Sequence, residues 1–116
     1  MSDELDELRN RLREFAAERD WDQFHSPKNL ASALAVEAAE LLEIFQWLTE
    51  KQSQTLSLEM KSKVAPELAD VLIYLIRIAD KLDIDLLEAA REKIIRNAQK
   101  YPIEKSRGSV KKYTDL

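Results

Sequence analysis

Asn29-Leu-Ala-Ser-Ala-Leu-Ala-Val-Glu37-Ala-Ala-Glu40-Leu-Leu-Glu43-Ile-Phe-Gln-Trp47-Leu48 is the stretch whose reading decides the fold. From Leu30 to Phe45 it is apolar nearly all round, apart from Ser32 and three glutamates, and it contains no Lys or Arg. Its Ala, Leu and Glu content favours a helix. A helix that is apolar round most of its circumference is buried on several sides. Residues three apart on a helix share a face, so Glu37 and Glu40 point the same way from a helix that favours burial. Buried carboxylates need a partner or take up protons, and no local basic residue is offered to this pair.

A second stretch repeats the device. Glu67-Leu-Ala-Asp70-Val-Leu-Ile-Tyr74 again places two acids three apart in apolar surroundings. Only Lys63 stands four residues from Glu67, and nothing basic is offered to Asp70. The two most apolar helices should pack together in the core, which brings four carboxylates face to face. A unit-charge pair at 4 Å costs about 1 kcal/mol in water and about 4 kcal/mol at an effective dielectric of 20. A resident cation offsets that repulsion. All-oxygen ligands select Mg²⁺, Mn²⁺ or Ca²⁺, and Mg²⁺ on carboxylates points to a phosphorylated substrate completing its shell. The plain alternative is two solvated acidic faces.

Composition narrows the rest. The 116 residues suit one domain, and 45% hydrophobic content argues against disorder. One Gly and three Pro leave little turn chemistry for hairpins, so the fold class is all-α. The absence of Cys excludes disulfides, thiolate metal sites and a cysteine nucleophile. A single His, His25, excludes the di-iron bundle pattern with its two Glu-x-x-His motifs. No apolar run reaches membrane-spanning length, and residues 1–10 lack a signal-peptide pattern. The chain is therefore expected in the cytoplasm and off the membrane. A net charge of −4 argues against a nucleic-acid polymer as partner.

Four helices are expected, connected as an antiparallel bundle. Leu5, Leu8, Leu12 and Phe15 mark the first, over about 2–20. Ser26 caps the second, with Pro27 at its first position. Residues 49–57 read as a polar loop. The third helix either begins near Pro66 or is kinked there after a turn from Leu58. Asp83 or Asp85 caps the fourth, whose inner stripe is Leu87, Ala90, Ile94 and Tyr101 before Pro102 ends it. Residues 1–102 make the helical domain and 103–116 a basic tail.

Two further groups of residues carry chemistry. Lys93, Asn97 and Lys100 recur on the fourth helix and suit phosphate oxygens beside a metal. Alone they are a solvated basic edge. Trp21, Trp47 and Tyr74 offer aromatic faces that either hold a nucleobase by stacking or belong to the core.

With these residues in view, the chain resembles a known family. Glu37-x-x-Glu40 followed after 26 residues by Glu67-x-x-Asp70 is similar to the signature of the all-α, MazG-like nucleoside triphosphate pyrophosphohydrolases. Phe15-Ala-Ala-Glu-Arg-Asp-Trp21, Phe24-His25-x-Pro27-x-Asn29-Leu30, Glu40-Leu-x-Glu-x-Phe-Gln-Trp47 and Asp70-Val-Leu-Ile-Tyr74 resemble its dCTP pyrophosphatase branch. So do Asn97-x-x-x-Tyr101-Pro102 and the terminal Lys112-Tyr113-Thr114-Asp115-Leu116. Ala39 stands where relatives often carry Gly, and Leu12 where animal members tend to carry a base-contacting His.

The resemblance implies Mg²⁺-dependent hydrolysis of a dNTP, dCTP or a modified dCTP, to the monophosphate and pyrophosphate, which clears it from the nucleotide pool. Mn²⁺ is a possible substitute. It implies Glu37, Glu40, Glu67 and Asp70 as metal ligands and catalytic residues. Trp21, Trp47 and Tyr74 are then the base pocket, and Lys93, Asn97 and Tyr101 the phosphate contacts. It also implies a homo-oligomer, dimer or tetramer, an expectation that the over-apolar second helix shares. The alternatives are a non-catalytic helical bundle that only assembles, and a nucleotide-binding regulator without turnover.

Overall fold

The structure, a computed structural model, describes residues 3–116 and is all-helical, with no strand among those residues. Six helices follow in order: α1 (Asp3–Glu18), α2 (Pro27–Phe45), α3 (Glu50–Gln54), α4 (Leu58–Lys81), α5 (Leu86–Lys100) and α6 (Ile103–Ser106). The expected first position of α1 at residue 2 lies outside the described residues. Single-turn 3₁₀ helices at Asp22–Phe24 and Tyr113–Asp115 complete the chain.

The helix boundaries follow local chemistry. Ser26 caps α2, its side chain accepting from the Asn29 N–H, and Pro27 takes the first position. Residues 49–57 are not simply a loop. Thr49 and Gln52 form a reciprocal capping box that supports the short α3. Ser57 caps α4, which runs unbroken through Pro66. Pro66 has no N–H for the Ser62 carbonyl, and the helix tolerates that loss immediately before Glu67. Of the two candidate caps for α5, Asp85 serves, accepting from the Glu88 N–H. Asp83 instead adopts a positive φ of 54° in the turn between α4 and α5.

α2 and α4 are the central pair, running antiparallel: the start of α2 meets the end of α4 through His25 and Arg77. Their middles meet at Glu37, Glu67 and Asp70. α1 lies across α4, tied by Arg13 Nε donating to Asp80 Oδ2 at 2.7 Å. Among the described residues the buried apolar side chains are few: Ala16 on α1, Leu30 on α2, and Ile76 and Ala79 on α4. Burying a side chain such as Leu30 contributes about 1.5–3 kcal/mol.

α5 does not pack along the others, and none of its residues is buried. Ala90 and Ile94, the expected inner stripe, are exposed within one chain. The molecule is correspondingly open. Its radius of gyration is 17.7 Å, whereas a compact chain of this length has about 13 Å.

Candidate metal and nucleotide site

The site is built on the facing middles of α2 and α4. Glu37, Glu67 and Asp70 each offer a carboxylate oxygen, and these oxygens all lie within 4.8 Å of one another. Glu40, one turn along from Glu37, contacts both glutamates and drives their electrostatics. Contact with the Glu40 carboxyl is the largest cause pushing Glu37 up to about 7, followed by burial and by the charges of Glu40, Asp70 and Glu67. Glu67 is also raised, first by burial and then by the Glu40 charge. Of the four expected acids, Glu37, Glu67 and Asp70 converge, and Glu40 stands beside Glu37 and Glu67 without joining that set of oxygens.

The cluster fits a hard cation. Oε2 of Glu37 and Oε2 of Glu67 are shielded from solvent and have no hydrogen-bond partner. An acceptor shielded from water and left without a partner is destabilising, more so when charged. No Lys or Arg forms an ion pair with any of the four acids among the described residues. Lys63 is exposed and leaves Glu67 to the other acids. A set of converging oxygens with unsatisfied lone pairs and no cationic side chain is the donor set that Mg²⁺ or Mn²⁺ takes.

The aromatic residues are distributed around this centre. Tyr74 is half-buried on α4, one turn beyond Asp70. Trp21 opens the turn before α2, edge-on to Phe15 with centroids 5.6 Å apart and 6.2 Å from His25. Trp47 follows the end of α2 and is 87% exposed, so within one chain it is not core. A groove of about 530 Å³ between α1 and α4 is lined by Leu8, Leu12, Phe15, Leu72, Ile73 and Ile76.

Lys93 and Asn97 are not gathered with the acids by contacts inside the chain. Both are exposed on the projecting α5, and their side chains hydrogen-bond to nothing among the described residues. Tyr101 ends α5 edge-on to Tyr113, with centroids 6.0 Å apart, and Lys100 lies over the Tyr113 ring at 4.9 Å.

Comparison with known proteins decides the family. Residues 33–116 match the MazG-like family. The chain is 46% identical to dCTP pyrophosphatase 1 of Rattus norvegicus over 114 residues, covering 97% of this chain and 67% of that protein. The human dCTP pyrophosphatase 1 is 44% identical with the same coverage. The chain belongs to the MazG-like family, within its dCTP pyrophosphatase branch. A crystal structure of a pyrophosphatase from Archaeoglobus fulgidus is 42% identical, with a TM-score of 0.78 over 88% of this chain and 95% of that one.

This MazG-like chain also holds a feature that sequence reading missed. Arg77 is 3% exposed, inside the most apolar part of α4. It joins Asp22 at 2.9 Å, and Lys81 reaches the same Asp22 oxygen at 3.1 Å. These bonds hold the Asp22 carboxyl below the usual range, Lys81 first and Arg77 second. Arg13 does the same for Asp80. The available signal was a lone Arg in the otherwise uncharged run Val71–Ala79, seven residues from Asp70 and so on its helical face.

Proposed function

We propose that this chain converts dCTP, or a modified dCTP, to the monophosphate and pyrophosphate, with Mg²⁺ held by Glu37, Glu40, Glu67 and Asp70. The chain is a nucleotide pyrophosphohydrolase, as its relatives at 44–47% identity indicate. The observation that carries the metal reading is the pair of shielded, unpartnered Oε2 atoms of Glu37 and Glu67 facing Asp70.

A divalent cation, when bound, offsets phosphate charge and supplies an activated water. The chain's own residues do the rest. One of the glutamates would also orient the attacking water and take its proton. Trp21, Trp47 and Tyr74 offer faces for the base. Lys93, Asn97 and Tyr101 hold phosphate oxygens, Lys93 stabilising charge on the leaving pyrophosphate.

The working form is a homo-oligomer in which a partner completes the bundle. One chain exposes 9155 Å², where a compact monomer of this mass exposes about 6,500 Å². The unpartnered α5, with Ile94 68% and Ile95 60% exposed, is the natural element for a second copy to cover. Covering it also offers Lys93 and Asn97 to a site. In this reading residues 1–102 are the catalytic helical domain and 103–116 the basic tail. Among the described residues, no helix is long and apolar enough to cross a membrane, and the enzyme acts on the cytoplasmic nucleotide pool.

A panel of the common NTPs and dNTPs, assayed for pyrophosphate and for inorganic phosphate, tests the reading. dCTP and 5-substituted dCTP should give the highest turnover, with pyrophosphate as the product. Release of single phosphates, or equal turnover of all bases, goes against it.

A further inference from the structure

Arg77 carries its charge into the core beside a turn that bears Trp21, an aromatic of the proposed base pocket. Its Nη2 donates to Asp22 Oδ1 at 2.9 Å and to His25 Nδ1 at 3.2 Å. Nη1 lies 3.8 Å from Asp80 Oδ2. A guanidinium only donates, so His25 Nδ1 accepts and the imidazole is neutral with its proton on Nε2. Asp22 and His25 are the first and last side chains of the turn that follows Trp21. The turn closes on itself, the Phe24 N–H donating to the Trp21 carbonyl at 2.9 Å and the His25 N–H to the Asp22 carbonyl at 3.2 Å. The Trp21 ring stands over His25 and Phe15. On α4, Asp70, Tyr74 and Arg77 follow at four and three residues and so share a face. One helix face therefore carries a carboxylate of the acid cluster, an aromatic, and the cation that grips the Trp21 turn.

We infer that Arg77 is a positioning residue for the nucleobase: by gripping Asp22 and His25 it fixes the Trp21 turn against the α4 face that carries Tyr74 and Asp70. The inference rests on the reading of Trp21 as part of the base pocket. A lysine keeps the charge but lacks the planar fork that reaches two acceptors and a third group together, so Arg77→Lys releases the turn without leaving an uncharged hole. Asp22→Asn attacks the same grip from the exposed side and serves if the core variant folds poorly.

The test has a kinetic and a spectroscopic arm. Folded Arg77→Lys and Asp22→Asn should each raise KM for dCTP about tenfold, since loss of a contact made equally in ground and transition state raises KM alone. kcat and inhibition by pyrophosphate should stay near wild type. The double variant should be no worse than the poorer single, as expected for two members of one network. In a Trp47→Phe background Trp21 is the sole tryptophan, and Arg77→Lys should red-shift its emission and increase its quenching by acrylamide. Unchanged emission and KM in both variants overturns the grip. So does a joint fall of kcat, dCTP affinity and pyrophosphate affinity in step with lost thermal stability, which marks a structural role only. Trp21→Ala separates the underlying reading. An unchanged KM there removes Trp21 from the base pocket and the positioning role with it. A raised KM there, with wild-type behaviour of both grip variants, removes the grip alone.

Discussion

At the scale of single residues, the acid cluster makes a signed prediction about pH. Glu37 is pushed from 4.5 up to about 7 in the folded chain. Its proton is bound more tightly folded than unfolded, so the stability it contributes is full below about pH 4.5 and is lost as pH rises through about 7. Metal-free protein should therefore melt at a lower temperature at pH 8 than at pH 6.5, and Glu37→Gln should flatten that slope. His25 works the other way: burial first and Arg77 second hold it below 6.5, so its contribution is full only above about pH 6.5 and is lost on acidification, and Glu37→Gln separates the two. Saturating Mg²⁺ should raise the melting temperature most at pH 8, because binding to the native state adds stability by mass action. A melting temperature that climbs from pH 6.5 to 8 without metal would contradict the clustered-acid account.

Trp47 gives a second test at this scale. With the side chain 87% exposed, its truncation leaves no hole in the fold of a single chain. Base–aromatic stacking is worth about 1–3 kcal/mol by alanine substitution, so Trp47→Ala should weaken dCTP binding about ten- to a hundredfold. Binding of pyrophosphate should hardly change. Titration calorimetry with both ligands decides it, and equal losses would assign Trp47 to packing between copies. Both acid pairs were legible in the chain because spacing of three and missing basic neighbours are local facts. Arg77 was not, because its partners Asp22 and His25 are more than fifty residues away in sequence.

At the scale of elements, the helices could be read where capping chemistry was explicit. Ser26 and Pro27 mark the start of α2 in plain sight, and the cap of α5 narrows to Asp83 or Asp85. The Thr49–Gln52 capping box was hidden inside a polar stretch whose composition suggests a loop. Pro66 invites a break, yet the apolar face of α4 continues across it, and packing on α2 outweighs one lost backbone bond. α5 stands apart for a different reason. Periodicity shows that a helix has an apolar stripe, not whether its own chain covers it. An isolated helix of fifteen residues is marginal in water, which favours the proposed cover of α5 by a second copy. Ile94→Glu should disrupt assembly and lower helix content together, seen by light scattering with circular dichroism. An unchanged mass and spectrum would show that α5 stands without a partner.

At the scale of the whole molecule, openness and chemistry belong to one account. A chain with a radius of gyration of 17.7 Å and, among the described residues, four buried apolar side chains has a small core for its length. In the proposed reading, association would supply the missing burial and bring the α5 cations to a nucleotide whose metal is held by α2 and α4. The central claim is that the four carboxylates hold the cation that makes this chain a pyrophosphohydrolase. Its most direct test is conversion of dCTP to dCMP and pyrophosphate by wild type and Glu40→Gln, each with Mg²⁺ and with a chelator, on protein shown to be folded. The account predicts turnover only for wild type with Mg²⁺. Undiminished turnover by Glu40→Gln, or by wild type under chelation, would contradict it.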